Sequence, residues 1–150
     1  MMGKMEKVVS IERLDGTGFS IELEDRAGYL RVLVRGDEDS QAVSVAYWTM
    51  IGVECSRRGT TAVLVVEDLP AWPNVPAEVF EAVTDAAVAA GLREVRCAFV
   101  DQHEEVEANE YGMMIGTEKG LTIMMFSNES YAEHWLRFGS PKSDKRHSNT

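Results

Sequence analysis

The chain has 150 residues, 45% of them hydrophobic and 27% charged, a composition suited to one globular domain with one core. Its formal net charge of -10 opposes binding to nucleic-acid phosphates, and no basic stripe with interleaved aromatics offsets it, so nucleic acid is not an expected partner. No apolar run approaches the roughly 20 residues of a membrane helix, and the opening MMGKMEKVVSIERL lacks the apolar region of a secretory signal; the expectation is a cytoplasmic protein without integral membrane association.

Three strand-like segments come first, at 8–14, 19–25 and 29–35, joined by the short turns DGTG and RAG. In the second, Phe19, Ile21 and Leu23 alternate with Ser20, Glu22 and Glu24, the period-two pattern of a strand with one wet face. Turns this short predict an antiparallel meander. After Gly36 the apolar spacing changes to three and four: Val43, Ala46, Tyr47, Met50, Ile51 and Cys55 predict a helix, capped by Asp37 or Asp39 and stopped at Arg57, Arg58 and Gly59.

TAVLVVED (61–68) is continuously apolar up to its two carboxylates and predicts a strand buried on both faces. A second helix carries Val79, Phe80, Val83, Ala87 and Ala90 and ends at Gly91; REVRCAFVDQ (93–102) follows as another buried strand. A shorter helix at about 104–116, the strand LTIMMF (121–126) and a last helix capped by Asn128, with Tyr131, Ala132, Trp135 and Leu136 inward, complete the order. Alternating strands and helices predict parallel pairing through crossovers. The expected fold is α/β, a mixed sheet with N-terminal antiparallel strands followed by parallel βαβ units whose helices pack on the sheet. It occupies one domain, 1–139, and a polar tail at 140–150 has too little apolar surface to order.

Within this order GYLRVLVRG (28–36), TAVLVVEDL (61–69), EYGMMIG (110–116) and IMMFSNESYAEHWL (123–136) carry a likeness. Over about residues 8–138 the chain resembles the STAS/SpoIIAA-like superfamily, and more closely the functionally uncharacterised bacterial SpoIIAA-like proteins grouped with the STAS and SEC14 folds. The STAS antagonists of anti-sigma factors hold a phosphorylated serine in the loop after the buried strand. Here that loop reads EDLPAWPNVP, with no Ser or Thr between Thr61 and Thr84, so the switch has no acceptor hydroxyl there. The resemblance implies a non-enzymatic binding or regulatory module acting through a protein partner or itself, as a homodimer. By the SEC14 comparison, it could instead bind a lipid or another apolar small molecule.

Several residues are candidates for a site. Open α/β sheets hold ligands beyond the carboxyl ends of their parallel strands. Those ends carry Glu67 and Asp68, then Asp101, His103, Glu104 and Glu105, then Ser127. Asp68, Asp101 and His103, with Glu67, are the candidates for a metal site or a hydrolase; the plainer reading is solvated loop residues, with Asp101 or Glu104 capping the next helix. Asp68 as a phosphoacceptor lacks the lysine that receiver domains place after a later strand. No GxSxG elbow, nucleotide-binding glycine pattern or paired cysteine motif occurs, and no cofactor is expected; Cys55 and Cys97 read as buried thiols. Met113, Met114, Met124 and Met125, near Tyr111 and Phe126, read either as core or as an adaptable apolar surface for a ligand or partner. Trp72 and Pro73, in PAWPNVP, read either as a rigid contact knob or as a cover for the sheet edge.

Overall fold

The structure is a computed structural model that describes residues 10–103 and 105–139. The polar tail expected at 140–150, the start of the first expected strand and Glu104 lie outside the described residues. Six strands form one sheet in chain order: β1 (Ile11–Gly16), β2 (Phe19–Arg26), β3 (Tyr29–Gly36), β4 (Ala62–Asp68), β5 (Arg96–Asp101) and β6 (Thr122–Phe126). β1, β2 and β3 pair antiparallel, and β3 through β6 pair parallel, as the short first turns and the later helical crossovers require. The crossovers are α1 (Gln41–Arg58), α2 (Ala77–Ala89) and α3 (Val106–Glu118), and α4 (Glu129–Phe138) follows the last strand.

Because each new strand adds to the same edge, crossovers of one hand deliver their helices to one face. There Phe19, Ile21 and Leu23 of β2, Val32 and Val34 of β3, Val63 and Val65 of β4 and Phe99 of β5 pack against the helical layer. The residues between them point the other way. Leu33, Leu64, Val66, Ala98 and Val100 meet Ala132, Trp135 and Leu136 of α4. β4 is therefore covered on both faces, which accounts for its unbroken apolar run. No helix among the described residues is long and apolar enough to cross a membrane.

Several boundaries differ from the sequence reading by a few residues, β1 and α3 among them, and two differ for a visible local reason. The α1 cap is Ser40, whose side chain accepts from the Val43 N–H, while Asp39 accepts from the Ser44 hydroxyl instead. Residues Leu92–Glu94 form a single 3-10 turn after Gly91, whose φ of 94° suits glycine, so β5 begins only at Arg96.

α1 and α2 meet at Gly52, where a Cβ would lie 2.4 Å from the Ala90 Cβ and 2.7 Å from the Ala90 carbonyl oxygen. Alanine in place of a helical glycine ordinarily gains about 1 kcal/mol. Here the collision is with backbone, which cannot swing aside, so Gly52→Ala is expected to destabilise by about 1–3 kcal/mol in urea denaturation. A gain in stability would show that the two helices can separate freely.

Candidate functional site

The helical layer does not seal against the sheet everywhere. Between α2, α3 and the strands lies a cavity of about 130 Å³. α1 contributes Tyr47 and Trp48 to its wall, α2 contributes Val79, Phe80, Val83 and Thr84, and the sheet contributes Phe99, Ile123 and Met125. On α3 the wall includes Gly112 and Gly116, whose missing side chains let Phe80 and Ile123 pack close against the helix. A Cβ at Gly112 would come within 3.3 Å of the Phe80 ring.

The polar end of this cavity sits at the carboxyl ends of β4 and β5. Among the described residues three carboxylates, Asp39, Glu67 and Glu105, line it, and no Arg, Lys or His does. Trp72 lies over this end, half-buried, with its backbone N–H donating to Glu105 Oε2 at 2.9 Å. That bond ties the β4–α2 loop to the start of α3, and the buried Leu69 anchors the same loop below. Asn74 lets the loop turn there with φ of 60°, a left-handed conformation that asparagine tolerates.

Glu67 is 7% exposed. Strand alternation turns it to the same face as Val63 and Val65, while Asp68 turns to the other face. The buried Tyr47 hydroxyl donates to Glu67 Oε2, and Oε1 has no hydrogen-bond partner among the described residues. Burial pushes the Glu67 carboxyl up to about 8; the Tyr47 bond opposes the shift, and the Asp39, Asp101 and Glu105 carboxylates add to it. Glu67 is thus largely protonated at neutral pH. Burial also raises Asp39 above the ordinary carboxylate range.

Asp101 is the register partner of Glu67 on β5 and is buried. Its oxygens hold the turn into α3, accepting from His103 N, Glu105 N and Asn109 Nδ2 at 2.9, 3.1 and 2.9 Å. Asp101 thus braces the turn rather than capping α3, whose N-cap is Glu105, and being buried it is not the solvated loop residue of the plainer reading. Thr84, 7% exposed, also lines the cavity, and its hydroxyl has no hydrogen-bond partner among the described residues. An orphaned buried hydroxyl costs about 1–3 kcal/mol, and a polar atom brought into the cavity would recover part of that.

The other candidates are scattered. Asp68 and His103 pair at 3.2 Å on the surface, with Arg35 3.7 Å from Asp68, away from the face of Glu67 and Asp101. The four residues proposed for a metal thus split into two pairs, and among the described residues no group of three His, Cys, Asp or Glu could hold a metal ion. The Asp68–His103 pair borders a second depression of about 720 Å³, wide open to solvent and edged by exposed Arg13 and Arg35, which encloses nothing. Of the methionines, Met125 lines the cavity, Met124 packs against α4 on the opposite face, and Met114 is exposed. Tyr111 stands edge-on to Phe80 behind the cavity wall, with ring centroids 5.1 Å apart; Met113 is half-buried and Pro73 exposed. Both thiols are buried, and burial pushes Cys55 up to about 12 and Cys97 further, so neither supplies a thiolate nucleophile.

Two features escaped the sequence reading. Tyr47 enters the sequence pattern only as one of the apolar positions of α1, which says nothing of its hydroxyl, although buried tyrosines ordinarily find a partner. Glu67 was read as a loop carboxylate, whereas it is the last inward residue of a covered strand.

No protein-family model matches the sequence, and no curated protein matches it. Among solved structures the chain is similar to a chain of the Pseudomonas malonate decarboxylase MdcD-MdcE heterodimer, at 12% identity and a TM-score of 0.39, covering 94% of this chain and 89% of that one. A likeness at that level carries no argument about the site.

Proposed function

We propose that this chain is a non-enzymatic binding module of the SpoIIAA-like type that takes a small molecule with an apolar, ring-sized body into the cavity between α2, α3 and the sheet. The observation that carries this reading is the cavity: about 130 Å³, walled by aromatic and aliphatic side chains, with a few polar groups gathered at one end. An apolar cavity of about 150 Å³ is enough to admit benzene. A lipid chain needs more room, so the ligand is a compact molecule rather than an acyl tail. Trp72 favours this over a protein-contact loop, because it is half-buried over the cavity instead of standing out as a knob.

A neutral ring tests the reading. Benzyl alcohol is expected to raise the thermal midpoint by several degrees at concentrations near 100 times its Kd, where binding adds about 2.7 kcal/mol. Ala87→Leu, which places a larger side chain in the α2 wall, is expected to abolish the rise. No rise with the unmodified protein, or an equal rise in both, would contradict a ligand site in this cavity.

A further inference from the structure

The charge pattern narrows the ligand class. Several arginines and lysines elsewhere on the molecule are matched to acids: Arg31 to Glu129, Arg58 to Glu54, Glu12 and Asp25, and Lys119 to Glu81 and Asp85. Among the described residues no ion pair involves Asp39, Glu67 or Glu105, the three carboxylates lining the polar end of the cavity, or Asp101 beside Glu67 in the sheet. Their recorded partners are neutral: the Ser44 hydroxyl for Asp39, the Tyr47 hydroxyl for Glu67, and backbone or amide N–H groups for Asp101 and Glu105.

Resting on the reading of the cavity as a small-molecule site, we infer that its ligand is a small organic cation, an amine or quaternary ammonium group on a ring-sized apolar body, with the cationic head at Glu67 and the body among Trp48, Phe80 and Phe99. Four observations converge on it. The acidic end is unbalanced by any lining cation, so an anionic head is repelled and a cationic one is drawn in. The walls are aromatic, and ring faces attract cations as well as apolar bodies. Glu67 lines the cavity and keeps one oxygen without a hydrogen-bond partner among the described residues. Deeper in, since α2 runs back from the carboxyl ends of the strands, the Thr84 hydroxyl is likewise unpartnered among the described residues.

The groups facing Glu67 are Asp39 from the segment before α1, Tyr47 from α1, Asp101 from β5 and Glu105 at the start of α3, and α2 presents no titratable group to the cavity. All are acidic or neutral. A bound cation therefore stabilises the carboxylate form of Glu67, and at pH 7 the carboxyl proton leaves to the buffer as the cation enters.

The test is calorimetric titration at pH 7 with benzylamine, benzyl alcohol and benzoate, which share a ring and differ in charge. Benzylamine is expected to bind at least tenfold more tightly than the alcohol, and benzoate at least tenfold more weakly. Benzylamine binding is expected to release close to one proton, counted by repeating the titration in buffers of different ionisation enthalpy. Glu67→Gln is expected to remove that release and bring benzylamine down to the affinity of the alcohol. Binding of the alcohol or benzoate as tight as that of the amine, or amine binding undiminished in Glu67→Gln, would overturn the cation assignment while leaving the cavity a ligand site. Failure of all three ligands to bind would overturn the ligand site itself.

Discussion

Glu67→Gln is expected to leave stability unchanged in acid and to make the protein markedly more stable than the unmodified chain at pH 9. The carboxyl is held up to about 8 by burial in the folded protein and returns to the ordinary glutamate value of 4.5 when the chain unfolds. The folded state therefore binds the extra proton across that window. Stability from this group is fully present below pH 4.5 and is lost as pH rises through 8. A difference of that size corresponds to on the order of 5 kcal/mol. Glutamine keeps the shape and still accepts from Tyr47 but has no charge to bury, so the loss disappears. Glu24, Glu54 and Glu129, each lowered by an arginine partner, give the opposite slope at low pH, and that contribution cancels when the two proteins are compared. Urea denaturation of both proteins between pH 4 and 9 reads the difference, which should open as pH rises; parallel curves would place Glu67 in the ordinary carboxylate range.

Trp135→Ala is expected to cost about 3–5 kcal/mol in the same assay, the range for removing a buried tryptophan. Trp135 is the main side chain by which α4 holds the outer face of the sheet: it packs 5.7 Å from the Phe126 ring and lies under the Arg96 guanidinium at 5.2 Å. Arg96 also donates to the carbonyls of Trp135 and Leu136, satisfying acceptors at the end of the helix. The cavity lies on the opposite face, so affinity for benzylamine should survive in the folded fraction. A fall in affinity matching the fall in stability would mean that the two faces do not act independently.

Much of the fold was legible because local pattern and burial agree. The alternation of Phe19, Ile21 and Leu23 marks a sheet covered on one side at β2, and the unbroken run of β4 marks one covered on both. The α1 cap was less legible: Asp37, Asp39 and Ser40 are all good cap residues, and only the geometry of the Val43 N–H selects Ser40. Arg93 and Glu94 read as strand because they precede an apolar run, yet the left-handed Gly91 starts a tight turn that delays β5.

The site was less legible than the fold. A strand buried on both faces offers no wet side against which to orient its last residues, so Glu67 and Asp68 looked equivalent, and parity separates them only once the cavity's face is known. Parity did carry one unused signal. Met124 and Met125 are neighbours in a strand and must point to opposite faces, so the methionines could not all line one pocket. The cavity itself is walled by Ala108, Gly112 and Gly116 of α3 together with Phe80 and Val83 of α2, a convergence of two helices that no periodicity within either one reveals.

Those same two methionines provide the most direct measurement of the proposed site. In a spectrum of protein labelled at the methionine methyl groups, titration with benzylamine is expected to shift Met125, in the cavity wall, in a saturable way, while Met124, against α4, stays in place. A Met125 methyl that does not move at saturating amine, or a Met124 methyl that moves with it, would contradict a ligand site between the helical layer and the sheet.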